Sequence, residues 1–232
     1  MSTGPYGITC PIIKACEMQE PRWTIPILTE IWSGSSRFGD IRRGVGNISS
    51  ALLSKRLKEL QNKGLIERVE DRATGNVSYV RTEKALALEP ALNSLAVWAQ
   101  RHIDAEIAVC GTNLPALMWK LRRDMVPTAL PQRRVVIRFH FSDSELDEDT
   151  FWLLARPGKP VELCTAVPGF DVDLYVESSV AAITHIMLNR STVSRETERG
   201  HMFLSRDAEI SKTMDRWLPQ GSYADVEGIA MA

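Results

Sequence analysis

Short amphipathic segments running into an alternating hairpin, followed by strands about ten residues apart, predict two domains of different class. The first is a mainly α winged helix-turn-helix over residues 1–106. The second is an α+β domain with an antiparallel sheet over 116–232, reached through a linker at 107–115. A length of 232 residues accommodates both, and 44% hydrophobic with 25% charged side chains suits a chain that buries cores. The sequence has no apolar run of about 18 residues, so no membrane contact is expected. The opening MSTGPYGITCPIIKAC lacks the basic stretch and apolar core of a signal peptide, which gives a cytoplasmic expectation.

The elements follow in order. Pro11 to Met18 reads as a short helix opened by proline. Trp23 to Trp32 sets Ile25, Leu28, Ile31 and Trp32 on one face, and Pro26 is tolerable only in a first turn, so this helix starts near Thr24. Phe38, Ile41 and Val45 share a short helical stretch. After the Gly46-Asn47 break, Ser49 or Ser50 can cap a helix running to Lys63. That helix buries Leu53, Leu57 and Leu60, leaves Ala51, Ser54, Lys55 and Lys58 outside, and meets Gly64 where a left-handed cap belongs. Leu65 to Glu70 and Val77 to Thr82 alternate around the turn Asp71 to Asn76, a hairpin signal. A helix then runs from Thr82 to His102 with apolar Leu88, Leu92, Leu95 and Trp98, and Pro90 is expected to kink or restart it.

A net charge of −1 argues against a nucleic-acid partner only if the charges are evenly spread. They are not. Between Arg37 and Lys63 lie seven basic residues against Asp40 and Glu59. Two short helices, a tight turn and a hairpin make a winged helix-turn-helix, whose second helix enters the major groove. Arg37, Arg42, Arg43 and Lys58 are the candidate phosphate contacts. Ser49 opens the reading helix, and Ser50, Ala51, Ser54 and Lys55 are the candidate base readers. Arg72 and Asn76 on the wing can follow the backbone or the minor groove.

The same stretch carries a family resemblance. Cys10-Pro11-Ile12, Trp23-Thr24, Arg37-Phe38 with Ile41-Arg42, Ile48-Ser49 and Leu53-Ser54 all contribute to it. So do Arg56-Leu57-Lys58-Glu59-Leu60, Gly64-Leu65, Tyr79 with Thr82-Glu83-Lys84, and Trp98. Over residues 8–102 the chain resembles the HxlR-type bacterial transcriptional regulators. The resemblance implies a homodimer joined through the first helices and the Thr82–His102 helix, with each protomer on one half-site of an operator. Glu20-Pro21-Arg22 stands where the family has a Gly-rich turn, and Pro26 where an aliphatic residue is usual.

Cys10, Cys16, Cys110 and Cys164 follow no metal spacing, and no paired histidines accompany them. No metal and no cofactor are expected. Some relatives sense oxidants or electrophiles through a thiol at the position of Cys10, and Pro11 suggests a helix beginning directly after it. The alternative is a small residue packed at the dimer interface.

In the second domain PALMWKLRRDM forms an amphipathic helix. Val135 to Phe141 alternates, Phe151 to Ala155 is continuously apolar, and Val161 to Ala166 and Val172 to Glu177 alternate again. Pro157-Gly158 and Pro168-Gly169 turns between them suggest an antiparallel meander. Ser179 to Asn189 returns to the helical period, and Ile210, Met214, Trp217 and Leu218 align on a last helix. Asp171-Val172-Asp173-Leu174, the helix at Val180–Met187 and the closing Arg199-Gly200, Leu204 to Asp207 and Trp217-Leu218 resemble the SCP-2-like (sterol carrier protein) domain. Arg206 replaces its usual glycine. The resemblance implies a hydrophobic tunnel for a small apolar ligand, with Trp119, Phe139, Phe141, Trp152, Ile183 and Met187 as candidate lining. Packed core is the other reading of those residues.

Nothing argues for catalysis: His102, His140, His185 and His201 are scattered, and GxSxG, HExxH, GxGxxG and P-loop patterns are missing. The expectation is a homodimeric DNA-binding regulator controlled by a small apolar effector in its second domain. Two alternatives stay open. One is a thiol switch at Cys10, and the other a lipid carrier that uses its helix-turn-helix only to dimerise.

Overall fold

Helical period and alternation become helices and strands along most of the chain in a computed structural model that describes residues 10–20, 22–144 and 149–232. Pro21 lies outside the described residues. The chain divides into two compact units, 1–92 and 93–232.

The first unit contains α1 (Pro11–Gln19), α2 (Thr24–Trp32), α3 (Phe38–Val45), α4 (Ser50–Asn62), β1 (Ile66–Glu70), β2 (Val77–Arg81) and the first half of α5 (Glu83–His102). Pro26 sits in the first turn of α2, where its missing N–H would have had no helical acceptor. β1 and β2 pair antiparallel from Ile66 opposite Arg81 to Glu70 opposite Val77. Ile27, Leu28, Ile41, Leu53 and Leu57 form a dry core. Transferring such side chains from water is worth about 1.5–3 kcal/mol each.

Pro90 lies inside α5, which runs on from Glu83 to His102 without the restart offered as one of the two expectations. It is exposed, so the backbone carbonyl it leaves without a donor can meet water. The division between units falls within α5 and not at 107–115. The expected linker holds the end of α6 (Ala105–Val109), capped by Asp104, and the start of α7 (Leu114–Asp124), capped by Asn113. Asn93 and Gln100 explain the division. They bond to Tyr223, Leu188 and Arg190 and so attach the second half of α5 to the second unit.

The second unit continues with β3 (Val135–Phe141), β4 (Thr150–Ala155), β5 (Glu162–Cys164), β6 (Leu174–Ser178), α8 (Val180–Met187), α9 (Val193–Glu198), β7 (Met202–Arg206), α10 (Ala208–Lys212) and α11 (Met214–Trp217). The sheet order is β5-β4-β3-β6-β7, and β3 pairs parallel with β6, so the expected antiparallel meander is corrected to a mixed sheet. After edge strand β5 the chain crosses back and enters on the far side of β3, and a parallel neighbour requires such a crossover. β7 and α9 were not anticipated, and the expected last helix breaks at Thr213 into two. Arg133 bridges Asp173 at 2.7 Å and Asp207 at 3.3 Å, while Asp173 accepts from the Val136 amide. These bonds fix the start of β6 and the N-terminus of α10.

Candidate nucleic-acid interface

The reading helix α4 begins with a side-chain cap. Ser49 Oγ accepts from the Leu52 amide at 3.3 Å, satisfying one of the N–H groups a helix start leaves open. Leu53, Leu57 and Leu60 then bury one stripe of α4, and Ser50, Ala51, Ser54, Lys55 and Lys58 stand exposed together on the other side. Ser49 is therefore a cap before it is a reader. Ser54 donates its hydroxyl to the Ser50 carbonyl at 2.9 Å and keeps its lone pairs outward.

Arg37 precedes α3, and Arg42 and Arg43 close it, all three exposed. Arg43 pairs with Asp40 at 2.9 Å, a surface bridge that competes only weakly with a phosphate. Arg56 is half-buried against Glu59. Lys63 is turned away altogether. Its Nζ donates to the carbonyls of Met18 at 2.6 Å, Glu20 at 3.0 Å and Glu17 at 3.3 Å, clasping the end of α1. Burial lowers its pKa below the ordinary lysine value, against the pull of Glu59 and Glu20. The positive charge that faces solvent around α4 is thus Arg37, Arg42, Arg43, Lys55 and Lys58.

Two contacts that sequence reasoning missed hold the helices in place. Ser35 donates to the buried Glu30 carboxylate at 2.6 Å, and Gly44 of α3 lies so close that an added Cβ would sit 2.0 Å from Glu30 Cδ. The close approach of α3 to α2 rests on that missing side chain. The wing is tied in by the Tyr79 amide, which donates to the Ser36 carbonyl at 2.7 Å. At its tip, Asp71 Oδ1 accepts from the Ala73 amide and Gly75 takes φ 69°, presenting exposed Arg72 and Asn76. The Ala73 amide and the Thr74 hydroxyl hold the Asp71 carboxyl below its ordinary pKa.

Cys10 is exposed directly before α1, Cys16 and Cys110 are exposed, and Cys164 is half-buried. Among the described residues no group of three His, Cys, Asp or Glu side chains could hold a metal. None of the described helices is long and apolar enough to cross a membrane.

The six candidate ligand-lining residues are not brought around one cavity. Phe139, Phe141, Ile183 and Met187 belong to the main core, and Phe139 and Ile183 are 0% exposed, so no water-sized void touches them. Trp152 pairs with Arg138, on the opposite sheet face from the Phe139–Phe151 pair, and packs against Val136, Leu154 and Val172. Trp119 lies under Arg122, whose guanidinium carbon is 3.9 Å from the indole centroid.

A family profile described as HxlR-like helix-turn-helix matches residues 19–107. Over 97 residues the chain is 36% identical to the uncharacterized HTH-type transcriptional regulator YvaP of Bacillus subtilis (strain 168), covering 41% of this chain and 90% of that one. Over 103 residues it is 31% identical to the HTH-type transcriptional regulator YodB of the same organism, covering 44% and 92%. The solved structure of reduced YodB matches with 30% identity and a TM-score of 0.38, over 41% of this chain and 96% of that one.

Proposed function

The chain belongs to the HxlR-like helix-turn-helix family, and from that premise we propose that it is a homodimeric, DNA-binding transcriptional regulator controlled by a small apolar effector in its second unit. The observation that carries the reading is the exposed face of α4, where Ser50, Ala51, Ser54, Lys55 and Lys58 stand together above a buried leucine stripe. Short hydroxyls and a lysine suit base edges, and the flanking arginines suit phosphates. The operator is double-stranded and two-fold, with half-sites about 34–36 Å apart as the paired helices of such dimers require.

Apolar side chains exposed on the two helices that the resemblance assigns to dimerisation support self-association. Ile12 of α1 is exposed, and Leu95 and Trp98 of α5 are each 53% exposed. The second unit is read as SCP-2-like, a reading supported by its five-stranded sheet with helical side chains packed on one face. Its effector must bind one arrangement of the reading helices better than another, since equal affinity shifts nothing.

Titrating the protein's own upstream DNA and a random duplex at several salt concentrations tests the proposal. Preference for the upstream DNA with affinity falling as salt rises upholds it. Salt-indifferent binding, or no preference over random DNA, removes the regulator and leaves the carrier protein.

A second reading places the switch on Cys10. Its thiol is exposed and directly precedes the nine-residue helix α1, within reach of an oxidant in solution. If oxidants release operator DNA from the Cys10→Ser protein as readily as from the parent, the thiol reading ends.

A further inference from the structure

The second unit contains a groove of about 420 Å³ that none of the expected ligand-lining residues touches. Ala96 and Ala99 of α5, Ile103 just after it, Ile107 and Ala108 of α6, and Leu188 after α8 make its apolar walls. The volume suits a small molecule, and Ile107 stands at the rim 68% exposed.

Arg190 also lines this groove, yet is only 2% exposed. Its Nε donates to Gln100 Oε1 at 3.2 Å, Nη1 to the Ile103 carbonyl at 2.8 Å, and Nη2 to the Ala99 and Gln100 carbonyls at 3.3 and 3.4 Å. All four acceptors are neutral. A guanidinium has five N–H donors, so one on Nη1 is left over. The end of α5 contributes about half a negative charge, and Asp104 acts at longer range. The buried cation is therefore only partly compensated, and a desolvated cation gains most from an anion brought to it.

We propose that this groove binds an aliphatic carboxylate, its chain along the Ala96–Ala99–Ile103 and Ile107 walls and its head at Arg190. A guanidinium matches a carboxylate in charge and hydrogen-bond geometry, and the apolar walls suit an aliphatic chain behind that head. The site names the effector class for the regulator reading and rests on that reading only for its consequence on DNA.

Calorimetric titration of the full chain with decanoate, decan-1-ol and decylamine tests the site, using the parent, Arg190→Met and Ile107→Glu proteins. Loss of Arg190 can disturb folding, whereas Ile107 is exposed, so a far-UV spectrum like the parent's is expected for Ile107→Glu. Decanoate is expected to bind the parent at least tenfold more tightly than either analogue, and to lose at least tenfold with Ile107→Glu. No decanoate binding, equal binding of decan-1-ol, or indifference to Ile107→Glu overturns the proposal. If Ile107→Glu instead halves the solution mass, a second copy covers the groove, and the proposal is likewise overturned. Operator titrations with and without decanoate separate the two ideas. Decanoate binding that leaves operator affinity unchanged upholds the site and ends its effector role. A protein without specific DNA binding ends the regulator reading while the calorimetry still decides the site.

Discussion

Arg190 reaches from just beyond α8 to donate to Gln100 Oε1 near the end of α5, and it also donates to the Ala99, Gln100 and Ile103 carbonyls there. Gln100 also donates to the Leu188 and Tyr223 carbonyls at 2.9 and 3.2 Å, so all of its amide is used within a buried network. Gln100→Leu keeps the volume but leaves a guanidinium and two carbonyls short of partners. Such groups cost about 1–3 kcal/mol each when buried unmet, partly recovered by relaxation. A loss of about 3 kcal/mol is expected in urea unfolding followed by tryptophan fluorescence. A change below 1 kcal/mol would show that the network is not holding the end of α5.

Gly44 and Gly39 lie in the same short helix and should respond oppositely to alanine. At Gly44 the new methyl meets the Glu30 carboxylate, which Ser35 holds in place, so overpacking of about 1–3 kcal/mol outweighs the gain in helix propensity. At Gly39 nothing lies within 4 Å, and alanine should stabilise by about 0.5–1 kcal/mol. Thermal melts of the two variants give the sign directly.

Glu196 provides a pH dependence. It is 1% exposed, and burial opposes its ionisation, but the Ser191 hydroxyl, His201 and Arg199 overcome this and lower its pKa. His201 Nδ1 lies 3.0 Å from Oε2. Below the ordinary value of 4.5 the unfolded chain therefore takes up a proton that the native protein resists. The stabilisation is present above pH 4.5 and is lost as pH falls through the native value. Glu196→Gln should flatten that part of the stability profile, measured as urea midpoints down the acid range. An unchanged acid limb would place the protonation elsewhere.

The parts of the molecule written locally were readable from sequence. Leu53, Leu57 and Leu60 announce α4 by their spacing, and Ser49-Ser50 announces a cap that the structure assigns to Ser49. Strand direction was not readable, because alternation in Val172 to Glu177 is the same whether its neighbour runs parallel or antiparallel. Trp152 was misplaced for a related reason: the apolar run of β4 has no alternation to say which face each residue takes. Lys63 counted as one more cation near the reading helix, since only the folded chain brings the α1 carbonyls to it. Buried Arg190 gave no signal either, because its partners lie about 90 residues away.

Arg206 takes φ 93°, a backbone conformation that favours glycine. Its guanidinium donates to the Val172 carbonyl, which offsets part of the strain. Arg206→Ala loses that bond and keeps the strain, whereas Arg206→Gly loses the bond and relieves it. The alanine variant should be less stable than the glycine variant by about 1 kcal/mol in chemical denaturation. Equal stabilities would mean that the residue is held without strain.

Lys58 and Lys63 separate cations that face DNA from those that serve the fold. Each phosphate contact contributes about 0.9 to the slope of log affinity against log salt. Lys58, exposed on α4, should lower that slope by about one when changed to alanine, and weaken all duplexes alike. Lys63→Ala should leave the slope unchanged, because its amine already binds the Glu17, Met18 and Glu20 carbonyls at the end of α1, and should instead speed amide exchange in α1. If Lys63→Ala flattens the slope and Lys58→Ala does not, the exposed face of α4 is not the surface that meets the phosphates.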